Sequence, residues 1–240
     1  MNASHSKLTD WGLAHISVER HDTILDVGCG GGKTISKLAG AASQGKVYGV
    51  DFSDESVTAS KRTNAQAIGL GRVEIVHGSV SQLPFSDDMF DLVTAVETHI
   101  WWPDLPGSMR GIFRVSKPGG QLAIIAKVYK GANTMVSRLA EKAAERTGMM
   151  LLSAEEHGQL LTSAGYVHVQ VIEEHTKGWI CAIGKKPNGG GTMPRWSPDG
   201  REGGVRACVS RQRLALAHLG SARPGPAPPC EIWPAAQGRL

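Results

Sequence analysis

Cysteine is sparse in this 240-residue chain, and what there is lies scattered. Cys29, Cys181, Cys208 and Cys230 form no CxxC and share no metal-ligand spacing with a histidine, so no metal site is expected. No apolar run approaches the ~20 residues that span a bilayer, which argues against a membrane partner, and the opening MNASHSKLTDWG lacks a basic-then-apolar signal pattern. The expectation is a reduced, soluble, cytoplasmic protein. A surplus of positive charge is missing where it would matter. Residues 1–187 carry 19 Lys and Arg against 19 Asp and Glu, so the formal excess of +4 lies wholly in residues 188–240. Without an electropositive domain, nucleic acid is not an expected partner.

Lysine is absent after residue 186, where the composition changes abruptly. Residues 188–240 contain nine Gly, seven Pro and seven Arg, too few apolar groups to offset the entropy of ordering. A disordered tail is expected, with RQRLALAHL at 211–219 as at most a transient helix. The change in coding bias suggests an out-of-frame or read-through extension. An Arg-rich nucleic-acid tail is the competing reading, weakened by the scatter of the arginines.

What is present up to residue 187 is a regular alternation. TILDVGC, KVYGVDF, RVEIVHG, FDLVTAVE and QLAIIAKVY read as strands. Between them, KTISKLAGAA, the single helix SDESVTASKRTNAQAIG capped by Ser53, and LPGSMRGIFRVS, stopped at Pro118-Gly119-Gly120, read as helices. An N-terminal helix, LTDWGLAHI, precedes them. A further helix, NTMVSRLAEKAAERTG, then a capping box at Ser153 and Glu156, then two strands joined at residues 175–177, complete the series. The fold predicted is α/β: a doubly wound, mostly parallel, seven-stranded Rossmann-like sheet with an antiparallel C-terminal hairpin. It forms one domain at 1–187 followed by the tail at 188–240.

The stretch ILDVGCGGGKT at 24–34 carries the chemistry. A P-loop over Gly32-Lys33-Thr34 requires glycine at position 27, where Val27 stands, and a dinucleotide fingerprint starting at Gly28 requires glycine where Lys33 stands. The spacing that does fit is Asp26, Gly28, Gly30, Gly32. An acid at the strand end repels a pyrophosphate but suits a ligand bearing an ammonium group, and the glycines let a ligand approach the backbone closely. Asp51 ends the second strand 25 residues later, placed to accept two ribose hydroxyls at the carboxyl edge of the sheet.

With ILDVGCGGG, VYGVDFS, GSVSQLPFSDDMFDLVTAVE and SKPGGQL, the chain resembles the class I S-adenosylmethionine-dependent methyltransferases, in the group acting on small molecules such as quinone precursors. The resemblance covers most of residues 1–187. It implies S-adenosylmethionine as cofactor, with Asp26, Gly28 and Gly30 at its methionine part and Asp51 and Phe52 at ribose and adenine. Ser79 and Val80 would meet the adenine edge and Glu97 the methyl end. The family commonly has Asp where Ser79 stands, which weakens the adenine contact.

After the fourth strand, ETHIWWPD offers Glu97 and His99 as catalytic candidates and Trp101 and Trp102 as acceptor-pocket candidates. His99 reads either as a general base or as a hydrogen-bonded loop histidine. Tyr129, taken to end strand five, the helix at 132–147, and Trp11 are further pocket candidates. The segment lacks the Asn/Asp-Pro-Pro-aromatic motif of nucleic-acid and protein amino-group methylation, and the only Pro-Cys pair is in the tail. The acceptor expected is a small molecule, methylated on oxygen, nitrogen or carbon. The rivals are a methyltransferase for RNA or protein, and a cofactor-binding module without turnover.

Overall fold

The computed structural model describes residues 3–189, so the tail expected from residue 188 lies, from residue 190 on, outside the described residues. The elements are α1 (Ala3–Leu13), β1 (Thr23–Val27), α2 (Lys33–Ala41), β2 (Lys46–Asp51), α3 (Asp54–Thr63), α4 (Ala65–Gly69), β3 (Val73–His77), β4 (Phe90–Val96), α5 (Leu105–Val115), β5 (Ser116–Ala126), α6 (Met135–Thr147), α7 (Ala154–Ser163), β6 (Val167–Glu174) and β7 (Trp179–Lys185). The strands form one seven-stranded sheet in the order β3-β2-β1-β4-β5-β7-β6. The first five are parallel, and β7 runs antiparallel to both β5 and β6. This is the predicted architecture, with the C-terminal hairpin at the sheet edge.

Alternation along the strands builds a core on each face. Ile24, Val47, Ile75 and Leu92 pack under Ile35 and Leu38 of α2 and Val57 of α3. Leu25, Val27, Val50 and Val93 point the other way, against Met109, Ile112 and Phe113 of α5 and Leu161 of α7. Each such fully buried side chain contributes roughly 1.5–3 kcal/mol. Among the described residues, no helix is long and apolar enough to cross a membrane.

Both predicted caps are present. Ser53 accepts from Ser56 N at 3.2 Å, with Asp54 and Glu55 in the first turn of α3, and Ser153 and Glu156 close a full capping box on α7.

Three local expectations need correction. The helix expected over 53–69 is two helices, broken at Asn64. The side chain of Asn64 donates 3.0 Å bonds to both Gly32 O and Ser60 O and accepts from Ser36 Oγ at 2.7 Å, a tertiary demand that overrides local helix continuation. Pro118-Gly119-Gly120 does not separate α5 from the next strand. β5 starts at Ser116, opposite Phe90, and the five-residue step to Gln121 is taken up as a bulge against the two-residue step to Leu92. Tyr129 does not end β5, which stops at Ala126.

Candidate functional site

Strand order reverses between β1 and β4: from β1 the chain runs outward to β2 and β3, then crosses back to β4. In an open parallel sheet, such a switch point opens a crevice beyond the carboxyl ends of the strands. The sequence places its glycine loop there, and three glycines in it take left-handed backbone: Gly28 (φ 74°), Gly30 (φ 51°) and Gly32 (φ 79°). Val27 remains the buried end of β1, and Lys33, the first residue of α2, is exposed, so no phosphate cradle closes around its amine.

The loop is held from every side. Gly28 N and Cys29 N donate to Val50 O at 2.8 and 3.1 Å. Asp51 Oδ2 accepts from Gly30 N at 2.8 Å, and its Oδ1 accepts from Ser53 N at 3.0 Å. From the other side, Thr98 Oγ1 donates to Val27 O at 3.0 Å, and its methyl group covers Gly28. A Cβ on Gly28 would lie 2.4 Å from Thr98 Cγ2, in a backbone conformation that disfavours any side chain. We therefore expect Gly28→Ala to lower unfolding stability by about 1–3 kcal/mol. Urea denaturation checks this, and an unchanged midpoint would contradict it.

Asp26 lies at the centre of the switch point. It is 1 % exposed and pairs in register with Thr94 of β4, whose hydroxyl donates to Asp26 Oδ1 at 2.7 Å. Burial, offset only partly by that bond and reinforced by the nearby Asp51 charge, pushes its carboxyl up to about 7. Two buried carboxylates thus stand at the ends of neighbouring strands, and Asp26 is short of charge-compensating partners.

The remaining candidates divide into those the fold gathers here and those it does not. Phe52 follows Asp51 and is 74 % exposed, while its carbonyl accepts from His77 Nε2 at 2.8 Å. Ser79 is exposed, its Oγ accepting from Ser81 N at 3.2 Å, and Val80 beside it is half-buried. Glu97 caps β4 with φ 63°, a conformation rarely taken by a residue with a side chain. Its carboxylate accepts from Lys127 N and lies 3.7 Å from Lys127 Nζ, bridging the ends of β4 and β5, and burial raises its pKa. Asp26, Gly28, Gly30, Asp51 and Phe52 therefore lie around one loop, with Thr98 joining the Glu97 segment to it.

His99 is a hydrogen-bonded histidine in the turn after β4, closed to solvent. It is 1 % exposed, in a 3-10 turn at His99–Trp101, and its Nε2 lies 3.0 Å from Nε2 of His157 in α7. His157 has no signal in the sequence, where it is one polar position in a capped helix 58 residues away. Trp102 is buried in the core with Leu105 and Met109 and set edge-on to His99. Trp101 is exposed. Trp11 packs against Trp179 and His15, with ring centroids at 5.8 and 5.0 Å. Tyr129 is buried with Ala126, Ala132 and Ile180, its hydroxyl pushed up to about 12 by burial and by Glu173. α6 buries Ser137 and leaves Met135, Val136 and Leu139 exposed.

Comparison with known proteins places this geometry in context. A family model described as "Methyltransferase domain" matches residues 25–124. The chain is 28% identical over 188 residues to a demethylmenaquinone methyltransferase of Geobacillus kaustophilus, covering 70% of this chain and 80% of the relative. It is 26% identical over 192 residues to the uncharacterized methyltransferase YdaC of Bacillus subtilis, covering 78% and 96%. Among solved structures, a SAM-dependent methyltransferase from Aquifex aeolicus superposes with a TM-score of 0.64 at 23% identity, over 77% of this chain and 93% of the other.

Proposed function

Because the chain is a class I S-adenosylmethionine-dependent methyltransferase, we propose that it methylates a small-molecule acceptor held above the carboxyl ends of β1, β2 and β4. The observation that carries this reading is the pair of carboxylates around the left-handed glycine loop. Asp26 is buried, with a single hydroxyl donor, and Asp51 is anchored by two backbone amides.

The residues present fit the cofactor. Asp26 lacks a cation, which an ammonium group supplies. Asp51 uses one lone pair on each oxygen for the backbone and keeps the others for ribose hydroxyls. Phe52 exposes a ring face for a purine, Ser79 retains its O–H and a lone pair for the adenine edge, and Val80 offers it an apolar flank. Gly28 and Gly30 let the ligand reach the backbone. When bound, S-adenosylmethionine supplies an electrophilic methyl group on a sulfonium.

The chain's own share of the reaction is alignment, exclusion of water and disposal of a proton. Glu97, fixed by Lys127 in a left-handed backbone, borders the methyl end, and His99 is the base candidate. Trp101, Tyr129 and the exposed side chains of α6 border the acceptor. The Geobacillus relative makes a demethylated quinol the first acceptor to assay.

Thermal unfolding of the full chain with S-adenosylhomocysteine, Mg-ATP or NAD tests the cofactor. Ligand at a hundredfold its Kd stabilises by about 2.7 kcal/mol, a rise of roughly 5–10 °C for a domain of this size. We expect that rise with S-adenosylhomocysteine alone, and a rise only with Mg-ATP would overturn the reading.

A further inference from the structure

The glycine loop has two ends, and each is tied to a different element. Its entry is held by the end of β2, where Val50 O and the Asp51 carboxylate take the amides of Gly28, Cys29 and Gly30. Its exit is Gly32, the N-cap of α2, in left-handed backbone at φ 79°. There Gly32 O accepts from Ser36 N at 3.1 Å, within the start of α2, and from Asn64 Nδ2 at 3.0 Å. Asn64 comes from the break between α3 and α4 and is 4 % exposed.

The partners of this side chain fix its orientation. Its Nδ2 lies 3.0 Å from both Gly32 O and Ser60 O, and carbonyls only accept, so the NH2 group points there and uses both its hydrogens. Oδ1 accepts from Ser36 Oγ at 2.7 Å. One buried amide thus joins the glycine loop, the first turn of α2 and the last turn of α3. Beside it, Cys29 Sγ lies 3.8 Å from Ser60 Oγ, a weaker second tie from the loop to α3. The fit is tight: a Cβ on Gly32 would lie 2.5 Å from Asn64 Nδ2 and 2.4 Å from Ser60 Oγ. Helix termination alone does not account for Asn64. An asparagine that ends a helix through its own backbone takes the left-handed conformation, but Asn64 has φ −110° and ψ 17°. Its side chain is turned away from solvent, toward partners 32 and 28 residues upstream.

We propose that Asn64 is a positioning residue for cofactor binding: by holding Gly32 O, it keeps the glycine loop in the conformation that receives S-adenosylmethionine, without touching the ligand itself. This rests on the reading of that loop as the cofactor site. Without the amide, Gly32 O keeps only its donors in α2, and nothing from α3 enforces one backbone well on a residue that has several. A ligand that binds only the left-handed arrangement then meets a competent loop for a fraction of the time, and its apparent affinity falls by that fraction. The signature is kinetic. Association slows in proportion to the competent fraction, while dissociation keeps its rate, because no contact to the ligand is lost.

Surface plasmon resonance of S-adenosylhomocysteine on the immobilised full chain reads both rates. For a competent fraction of about one tenth, Asn64→Ala should slow association about tenfold and leave dissociation as in the wild type. Asn64→Asp, nearly equal in size but without the NH2 group, should do the same, which separates the hydrogen bond from packing. Ser153→Ala removes the cap of α7 and lowers the melting temperature, yet should change neither rate, so lost stability alone does not mimic the effect. Unchanged association in the Asn64 variants, or a loss of affinity carried by faster dissociation, would overturn the proposal. Should neither Asn64 variant fold, Ser36→Ala, which frees the amide from its Oδ1 partner, carries the same test: association should slow about threefold, and an unchanged rate overturns it. A wild-type chain that does not bind S-adenosylhomocysteine overturns the cofactor reading and this proposal with it, whereas wild-type binding beside unmoved Asn64 variants overturns this proposal alone.

Discussion

Replacing Asp51 by alanine is expected to weaken S-adenosylhomocysteine binding about a hundredfold. The carboxylate performs two tasks at once. Its Oδ2 takes Gly30 N–H and its Oδ1 takes Ser53 N–H, tying the glycine loop to the start of α3 and leaving a lone pair on each oxygen for a ligand. Each charge-assisted bond to a ribose hydroxyl is worth about 1.5–3 kcal/mol, so two of them would alone account for a hundredfold, at 1.4 kcal/mol per decade. Alanine also leaves two amides without their acceptor and frees the loop from the conformation that fits the ligand. The unliganded protein should therefore melt at lower temperature as well. Asp51→Asn presents an amide oxygen to one N–H and an NH2 to the other, so it should recover only part of the affinity. Isothermal titration calorimetry of the three proteins checks this order. A loss below threefold for Asp51→Ala would remove Asp51 from the ligand contact and leave it as a loop brace.

The parts of the fold legible in the sequence are those set by local chemistry. Burial on both sheet faces demands apolar strands such as ILDV and LAIIA, and the serines at 53 and 153 cap helices using donors one turn away. The spacing of Asp26, Gly28, Gly30 and Gly32 was legible for the same reason, because a left-handed turn after a buried strand constrains residue type within seven positions. What could not be read is what distant residues impose. Asn64 breaks a helix where its side chain bridges Gly32 O and Ser36 Oγ, partners 32 and 28 residues upstream that no local rule reveals. Pro118, Gly119 and Gly120 look like a helix stop but are absorbed by a bulge between β4 and β5.

The candidate site divides along the same line. Asp51 was legible as a strand-end acid, but its grip on Gly30 N–H was not, since that bond joins residues 21 positions apart. Trp101 and Trp102 are neighbours with opposite fates, because the short turn after β4 aims one ring outward and the other into the core above α5. His99 was readable as an ionisable group beyond β4. Its partner was not, because a histidine within an amphipathic helix has no spacing relation to a loop 58 residues upstream.

Asp26 gives the second large effect, and it is one of pH. An ordinary aspartate titrates near 3.8, but this one is pushed up to about 7 by burial. Between those values the folded protein holds a proton that the unfolded chain has already lost. The contribution of Asp26 to the stability of the unliganded protein therefore falls as pH rises from about 4 to about 7. An ammonium group reverses the preference, because it binds the ionised form. Affinity for S-adenosylhomocysteine should accordingly rise with pH across the same range, tenfold per unit well below 7 and levelling above it. From pH 5.5 to 7.5 the expected gain is about 20-fold, since an α-amino group remains largely protonated there. Asp26→Asn keeps a carbonyl oxygen for the Thr94 hydroxyl but carries no charge, so it should bind at least tenfold more weakly at pH 7.5 and lose the pH dependence. 5′-Methylthioadenosine, which has the nucleoside but no ammonium, isolates the cause: with the wild-type protein its affinity should stay flat over this range. A steep pH profile for 5′-methylthioadenosine would move the titrating group away from Asp26, whereas a flat one beside a steep profile for S-adenosylhomocysteine ties the slope to the carboxylate–ammonium pair.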